Sequence, residues 1–169
     1  TFYKDINDIP AFNDYSMKGK TYRYFQGKPL YDFGYGLSYT TFAYSNLNIK
    51  DENPTDSDIK FTVDVINTGK TDGDEVVELY FTNPKGDQLN TVRTLINFER
   101  VFIKAGETKK VSFTIQPKQL AQLNKNNSFE LAPGDITFSV GGMQANDERI
   151  KEKKVIVKKI KIIGKTVVF

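Results

Sequence analysis

Ile59-Lys60-Phe61-Thr62-Val63-Asp64-Val65 alternates apolar and polar residues without a break. A strand turns successive side chains to opposite faces, so Ile59, Phe61, Val63 and Val65 share one face and Lys60, Thr62 and Asp64 the other. Asn67-Thr-Gly-Lys-Thr-Asp-Gly73 follows as a cluster of turn formers, with Gly69 and Gly73 free to take positive φ. The period of two then resumes over Glu75–Phe81, where Val77, Leu79 and Phe81 align.

The same rhythm extends in both directions. Asn83-Pro-Lys-Gly-Asp87 ends the second strand, because Pro84 lacks a ladder donor. Phe98–Ile103 is a further apolar stretch, with Phe98 expected in the core, and Ala105-Gly-Glu107 turns the chain. Lys109–Ile115 puts Val111, Phe113 and Ile115 inward and Lys110, Ser112 and Thr114 outward. Phe129 and Leu131 mark a short strand, Pro133-Gly134 a turn, and Ile136, Phe138 and Val140 a strand closed by Gly141-Gly142. Pro117–Leu123 alone reads as helical. Roughly seven short strands separated by turn signals imply an all-β, immunoglobulin-like antiparallel β-sandwich. Three parts follow: an irregular aromatic-rich extension over residues 1–41, the sandwich over 42–142, and a C-terminal extension over 143–169. Within the last, Val155–Ile163 is expected along a sheet edge, its alternating lysines discouraging edge-to-edge pairing.

Composition narrows the chemistry. The 169 residues suffice for one domain with a core, or a domain plus an appendage. With no Cys, disulfides and Cys-based zinc sites are excluded, and with no His neither a Ser-His-Asp nor a Cys-His site can be assembled. No metal site and no cofactor is expected. No apolar run approaches the roughly 20 residues that span a bilayer, and the polar-aromatic opening carries no signal-peptide pattern. The net charge of +3 is local, carried by the basic stretch Arg149–Lys165. Those lysines alternate with Val and Ile and join no aromatic or helical motif, so a solvated strand face is expected in place of a nucleic-acid surface.

The extension is the unusual part. Tyr22, Tyr24, Phe25, Tyr31, Phe33, Tyr35, Tyr39, Phe42 and Tyr44 crowd a stretch punctuated by Gly27, Gly34 and Gly36. So dense a cluster outside any periodic element implies burial against a neighbour. Asp14-Tyr-Ser-Met-Lys-Gly-Lys-Thr-Tyr-Arg-Tyr-Phe25, with Pro29-Leu-Tyr-Asp-Phe-Gly-Tyr-Gly-Leu-Ser-Tyr-Thr-Thr-Phe42, resembles glycoside hydrolase family 3. In that family the stretch joins an α/β sandwich domain to a C-terminal fibronectin type III-like domain. Asp74-Glu-Val-Val-Glu-Leu-Tyr80, Leu95-Ile-Asn-Phe-Glu-Arg-Val101, Lys104–Ile115 and Pro133–Gly142 resemble that domain's strands in order. The family often has Gly where Asn97 stands and Pro near Thr91, departures confined to loop positions. The resemblance covers residues 1–142 and leaves 150–169 outside it. Phe2-Tyr-Lys and Gly141-Gly142 lean towards bacterial β-xylosidase-like members, although β-glucosidases share most of these residues.

The resemblance implies a non-catalytic accessory segment of an exo-acting β-xylosidase or β-glucosidase, periplasmic or extracellular. Its partners would be the catalytic barrel and the α/β sandwich domain of the same parent, without nucleic acid or membrane. The family's nucleophile and acid/base carboxylates lie in those other domains, so no catalytic residue is assigned. Asp72, Asp74 and Glu75 fit a hairpin turn, and Asp51, Glu52, Asp56 and Asp58 a solvated loop. The first group also resembles a fragment of a calcium loop, but the twelve-residue ligand spacing fails there. Tyr22, Arg23, Tyr24, Phe25, Tyr31, Phe33, Tyr35 and Tyr39 are candidate domain-docking residues, with Arg23 able to form an ion pair across the joint. Tyr31, Phe33 and Tyr35 are alternative sugar-stacking residues. Arg93 and Arg100 would pair across the joint or be solvated, with solvation favoured for Arg100. Without covering partners, residues 1–30 should be mobile, self-associated or folded back. The competing readings are a stand-alone carbohydrate-binding module and a protein-interaction β-sandwich.

Overall fold

The structure, a computed structural model, describes residues 2–82 and 91–169. The expected strand end at Asn83–Asp87 lies outside the described residues. Eleven strands and two helical turns follow in chain order: α1 (Thr21–Tyr24), β1 (Phe42–Asn48), β2 (Glu52–Pro54), β3 (Ile59–Asn67), β4 (Gly73–Thr82), β5 (Thr94–Ile103), β6 (Thr108–Ile115), β7 (Gln122–Leu123), β8 (Phe129–Leu131), β9 (Gly134–Gly141), α2 (Asp147–Lys151), β10 (Val155–Ile163) and β11 (Val167–Val168). Pro117–Leu120 is a 3-10 turn, so the expected helix stops where β7 begins.

Two sheets make the sandwich. One runs β1-β3-β6 and the other β2-β10-β9-β4-β5, with a small third sheet β11-β8-β7. All pairings are antiparallel except that of β10 with β2, which is parallel. Strand β3 buries Ile59, Phe61, Val63 and Val65 and leaves the intervening residues at the surface or partly exposed, as a period of two requires. Across the gap lie Val77 and Leu79 of β4, Phe138 and Val140 of β9, and Ile160 and Ile162 of β10. The Phe61 ring sits 5.4 Å from Phe113 in its own sheet and 5.9 Å from Phe138 in the facing one. The interior is therefore apolar, with side chains from both layers meeting in it.

Two expectations are corrected. Val155–Ile163 pairs with β9 from Val155 to Ile162 and with β2 only at Lys161–Ile163, so its C-terminal end, though not its whole length, lies between two strands of the five-stranded sheet. Its apolar ends explain the placement. Ile160 and Ile162 join the core and Val155 is buried, while Lys159 and Lys161 point to water. Phe98 is 65% exposed and not part of the core. On β5 the inward face is set by Val101 and buried Ile103, so Phe98, Arg100 and Phe102, of opposite parity, look outward. Arg100 is exposed yet paired, its guanidinium 2.7 Å from Asp74 Oδ2 on the neighbouring strand.

The chain loops back on itself between Phe2 and Tyr31. Phe2 bridges Tyr31, and the Leu30 N–H donates to the Phe2 carbonyl at 2.8 Å.

Candidate functional site

The extension is held on the outer face of the five-stranded sheet by one tight turn. The Tyr35 N–H donates to the Asp32 carbonyl at 3.0 Å, and Gly34 has φ +85°. Those values define a type II turn, whose third position needs glycine. A Cβ on Gly34 would also lie 2.5 Å from Glu78 Oε2 and 2.8 Å from Met143 Cα, so the turn is pressed against β4 and the segment leaving β9. The Gln144 N–H donates to the Phe33 carbonyl at 2.9 Å.

The candidate residues separate into two groups around this turn. Tyr22, in α1, packs on Phe33 with ring centroids 4.5 Å apart and meets the edge of Tyr80 at 6.2 Å. Its hydroxyl accepts the Leu95 N–H of β5 at 3.4 Å. Arg23 places its guanidinium 5.7 Å from the Tyr24 ring centre and 3.4 Å from Thr94 Oγ1, and its carbonyl accepts the Val92 N–H at 2.6 Å. Phe25 meets Tyr3 edge-on at 5.2 Å. These four residues are half-buried against their own chain. Tyr31, Phe33 and Tyr35 remain 45%, 44% and 42% exposed, with Tyr31 and Tyr35 stacked at 5.0 Å and an interplanar angle of 24°. Together with Phe2, Tyr22 and Phe25 they line an open groove of about 500 Å³. Tyr39 stands apart, 99% exposed.

The polar residues that set this geometry gave no motif. Asp32 Oδ2 accepts from Asn146 Nδ2 at 2.6 Å and lies 3.7 Å from Arg149 Nε. Beneath the turn, Tyr80 donates to Glu78 Oε2 at 2.5 Å, and burial raises the Glu78 carboxyl above its usual range. At the other end of β4, Tyr44 donates to Glu75 Oε1 at 2.6 Å. Burial pushes Glu75 up to about 7, with the Glu78 charge adding to the rise. Burial lowers the Arg93 guanidinium, and the nearby Asp32 charge opposes it. The signal that could have found Glu78 is an acidic residue inside an apolar strand run with a tyrosine, Tyr80, two places on; Glu75, whose partner Tyr44 sits on β1, carries no such local signal.

These carboxylates do not form a hydrolytic pair. Glu75 and Glu78 are separated by an odd step along one strand, point to opposite faces, and are each occupied by a tyrosine hydroxyl. The Asp72-Asp74-Glu75 cluster disperses too: Asp72 caps the Ala105 N–H, Asp74 pairs with Arg100 and Glu75 holds Tyr44. Among the described residues no three acidic side chains gather as metal ligands, and no helix is long and apolar enough to cross a membrane.

Comparison with known proteins agrees with this architecture. The fibronectin type III-like domain family matches residues 75–144. A putative β-xylosidase of Formosa agariphila is 37% identical over 146 residues, covering 83% of this chain and 19% of the relative. Residues 75–144 are a fibronectin type III-like domain, in a chain similar to one segment of β-xylosidases and β-glucosidases. A periplasmic β-glucosidase of Salmonella typhimurium is 33% identical over 156 residues, 89% of this chain and 20% of its own length. The crystal structure of β-glucosidase 3B from Thermotoga neapolitana in complex with glucose superposes with a TM-score of 0.72 and 29% identity over 88% of this chain and 19% of that one. The chain thus spans about a fifth of the relatives it matches. The alignments run well past residues 75–144, so this fibronectin type III-like domain shares its flanking segments with those glycosidases.

Proposed function

We propose that this chain is a non-catalytic accessory segment of an exo-acting β-xylosidase or β-glucosidase, and that the aromatic groove is where it docks on the catalytic barrel and α/β sandwich domains of the same parent. The observation that carries the reading is the groove itself. Tyr31, Phe33 and Tyr35 sit on or beside a turn bonded to the segment that follows β9, yet each leaves more than two-fifths of its surface in water. Half-exposed rings suit a surface completed by a neighbour. Its acidic lining residue, Asp32, is already engaged by Asn146 and Arg149, which leaves an apolar wall for the partner. The parent would act in the periplasm or outside the cell, the compartment named for the Salmonella relative.

Retaining glycosidases need two carboxylates about 5–5.5 Å apart on a substrate site. The tyrosine-bound Glu75 and Glu78 offer no such pair, so the purified chain should leave nitrophenyl xylosides and glucosides unhydrolysed. Turnover that copurifies with the chain through successive columns would overturn the reading. The parallel stack of Tyr31 on Tyr35 also offers a flat face to a pyranose ring, which keeps sugar binding as a second reading. Calorimetric titration with xylo- and cello-oligosaccharides separates the two: docking expects no heat of binding, sugar recognition a saturable one.

A further inference from the structure

Asn146 holds two elements with one side chain. Its Oδ1 accepts the Arg149 backbone N–H at 2.9 Å and so caps α2. Its Nδ2 donates to Asp32 Oδ2 at 2.6 Å, on the turn that carries the aromatic groove. Arg149, whose amide is capped, returns its own Nε to within 3.7 Å of the same Asp32 oxygen, and the two side chains are only 18% and 10% exposed. Alongside, the Gln144 N–H is bonded to the Phe33 carbonyl, and Met143 Cα abuts Gly34.

We infer that the Asp32–Tyr35 turn and α2 form and dissolve as one cooperative unit, latched through Asn146. Each half lacks the means to persist alone. With five residues, α2 is far below the length at which a helix stands unaided in water, and it depends on its cap. The cap works only while Asn146 keeps the orientation that Asp32 imposes. Asp32, in turn, is a carboxylate whose side chain is only 10% exposed, whose hydrogen bond comes from Asn146 and whose facing cation is Arg149 at 3.7 Å, and losing them leaves a little-exposed charge uncompensated. Thermodynamic coupling is reciprocal, so whatever moves the turn must loosen α2, and whatever melts α2 must release the turn. The inference does not depend on what docks in the groove. It makes the segment between β9 and β10 the strap that fixes the groove's shape.

Amide hydrogen exchange on the folded chain tests it. Ile150 and Glu152 report α2, since their amides bond to the Asn146 and Glu148 carbonyls; Tyr35 reports the turn. Asp32→Ala should accelerate exchange at Ile150 and Glu152 by roughly tenfold or more, the equivalent of one charge-assisted hydrogen bond, while β3 and β6 amides keep their rates. Asp32→Asn, which preserves volume, should act in the same direction if the alanine variant folds poorly. Asn146→Asp retains a good cap but sets a carboxylate against Asp32, so Tyr35 should exchange faster; a residue acting only as a cap would leave Tyr35 unmoved. The proposal is overturned if both Asp32 variants alter only Tyr35 and Gln144, or if Asn146→Asp leaves Tyr35 at its original rate.

Discussion

Replacing Glu75 with Gln should remove a pH-dependent penalty that the chain carries above mildly acidic pH. Glu75 sits on β4 and holds the hydroxyl of Tyr44 from β1, a hydrogen bond that ties the two sheets together at 2.6 Å. Burial lifts its carboxyl from 4.5 to about 7, the Glu78 charge reinforcing the shift and the Tyr44 hydroxyl resisting it. Below pH 4.5 the group is protonated whether the chain is folded or not, and it adds no pH dependence. As pH rises past 4.5 the unfolded chain releases its proton while the folded chain keeps it, so stability falls. The fall is complete once pH exceeds about 7, where the folded form ionises as well. At 1.36 kcal/mol per unit, the rise from 4.5 to about 7 amounts to about 3 kcal/mol. A Gln amide never ionises, and its carbonyl oxygen still accepts from Tyr44. Urea unfolding of both proteins at intervals between about pH 4.5 and 8.5, followed by circular dichroism, gives two stability profiles. Their difference cancels the titrating groups that do not interact with Glu75. The variant should gain on the parent between about pH 4.5 and 7, keep that gain unchanged above 7, and exceed the parent at pH 8. Parallel profiles, or a variant weaker at pH 8, would refute the argument.

Two further substitutions probe the fold. Asn67 is fully buried and uses its side-chain amide in full: Oδ1 accepts from Thr40 Oγ1 at 2.6 Å and the Gly69 N–H at 3.0 Å, and Nδ2 donates to the Thr71 and Ile103 carbonyls at 2.8 and 3.0 Å. Asn67→Ala strands these partners together and should cost about 3 kcal/mol or more in chemical denaturation; a loss below about 1 kcal/mol would mean that water replaces the amide. Phe98→Ser removes an outward ring from β5 and should change stability by no more than about 0.5 kcal/mol, despite the size of the side chain; a loss in the range of a core deletion would show that Phe98 is covered in solution.

Most of the sandwich was legible because its signal is local. Ile59–Val65 and Lys109–Ile115 carry clean alternation, and each predicts its buried face residue by residue. Phe98 misled because hydrophobicity was read without parity. Counting back in twos from Ile103, which closes the strand at 0% exposure, puts Phe98 on the wrong side for the core. The place of Val155–Ile163 was hidden for a different reason. A Lys-rich alternating strand looks like an edge, and only long-range pairing with β9 and the three-residue β2 reveals that its C-terminal end lies between neighbours.

The groove shows the same division between local and distant information. Its rings could be picked out from composition, since aromatics this dense in a non-periodic stretch have few uses other than contact. Which rings face this chain and which face outward could not, because that depends on partners far along the chain. Tyr22 is drawn inward by Tyr80 and Leu95, and Asp32 by Asn146 and Arg149. None of those partners advertises itself by spacing: Asn146 is one polar residue of the C-terminal extension and Arg149 one more residue in a basic stretch. The groove is therefore a product of polar contacts laid down at the far end of the chain, and its aromatic character explains only what it could bind. Its shape follows from the carboxylate that anchors the turn. That ordering of causes is why a single change at Asp32 should disturb the groove more than the loss of any one exposed ring in it, since Tyr31 and Tyr35 chiefly touch each other and Phe2 while Asp32 joins the turn to α2.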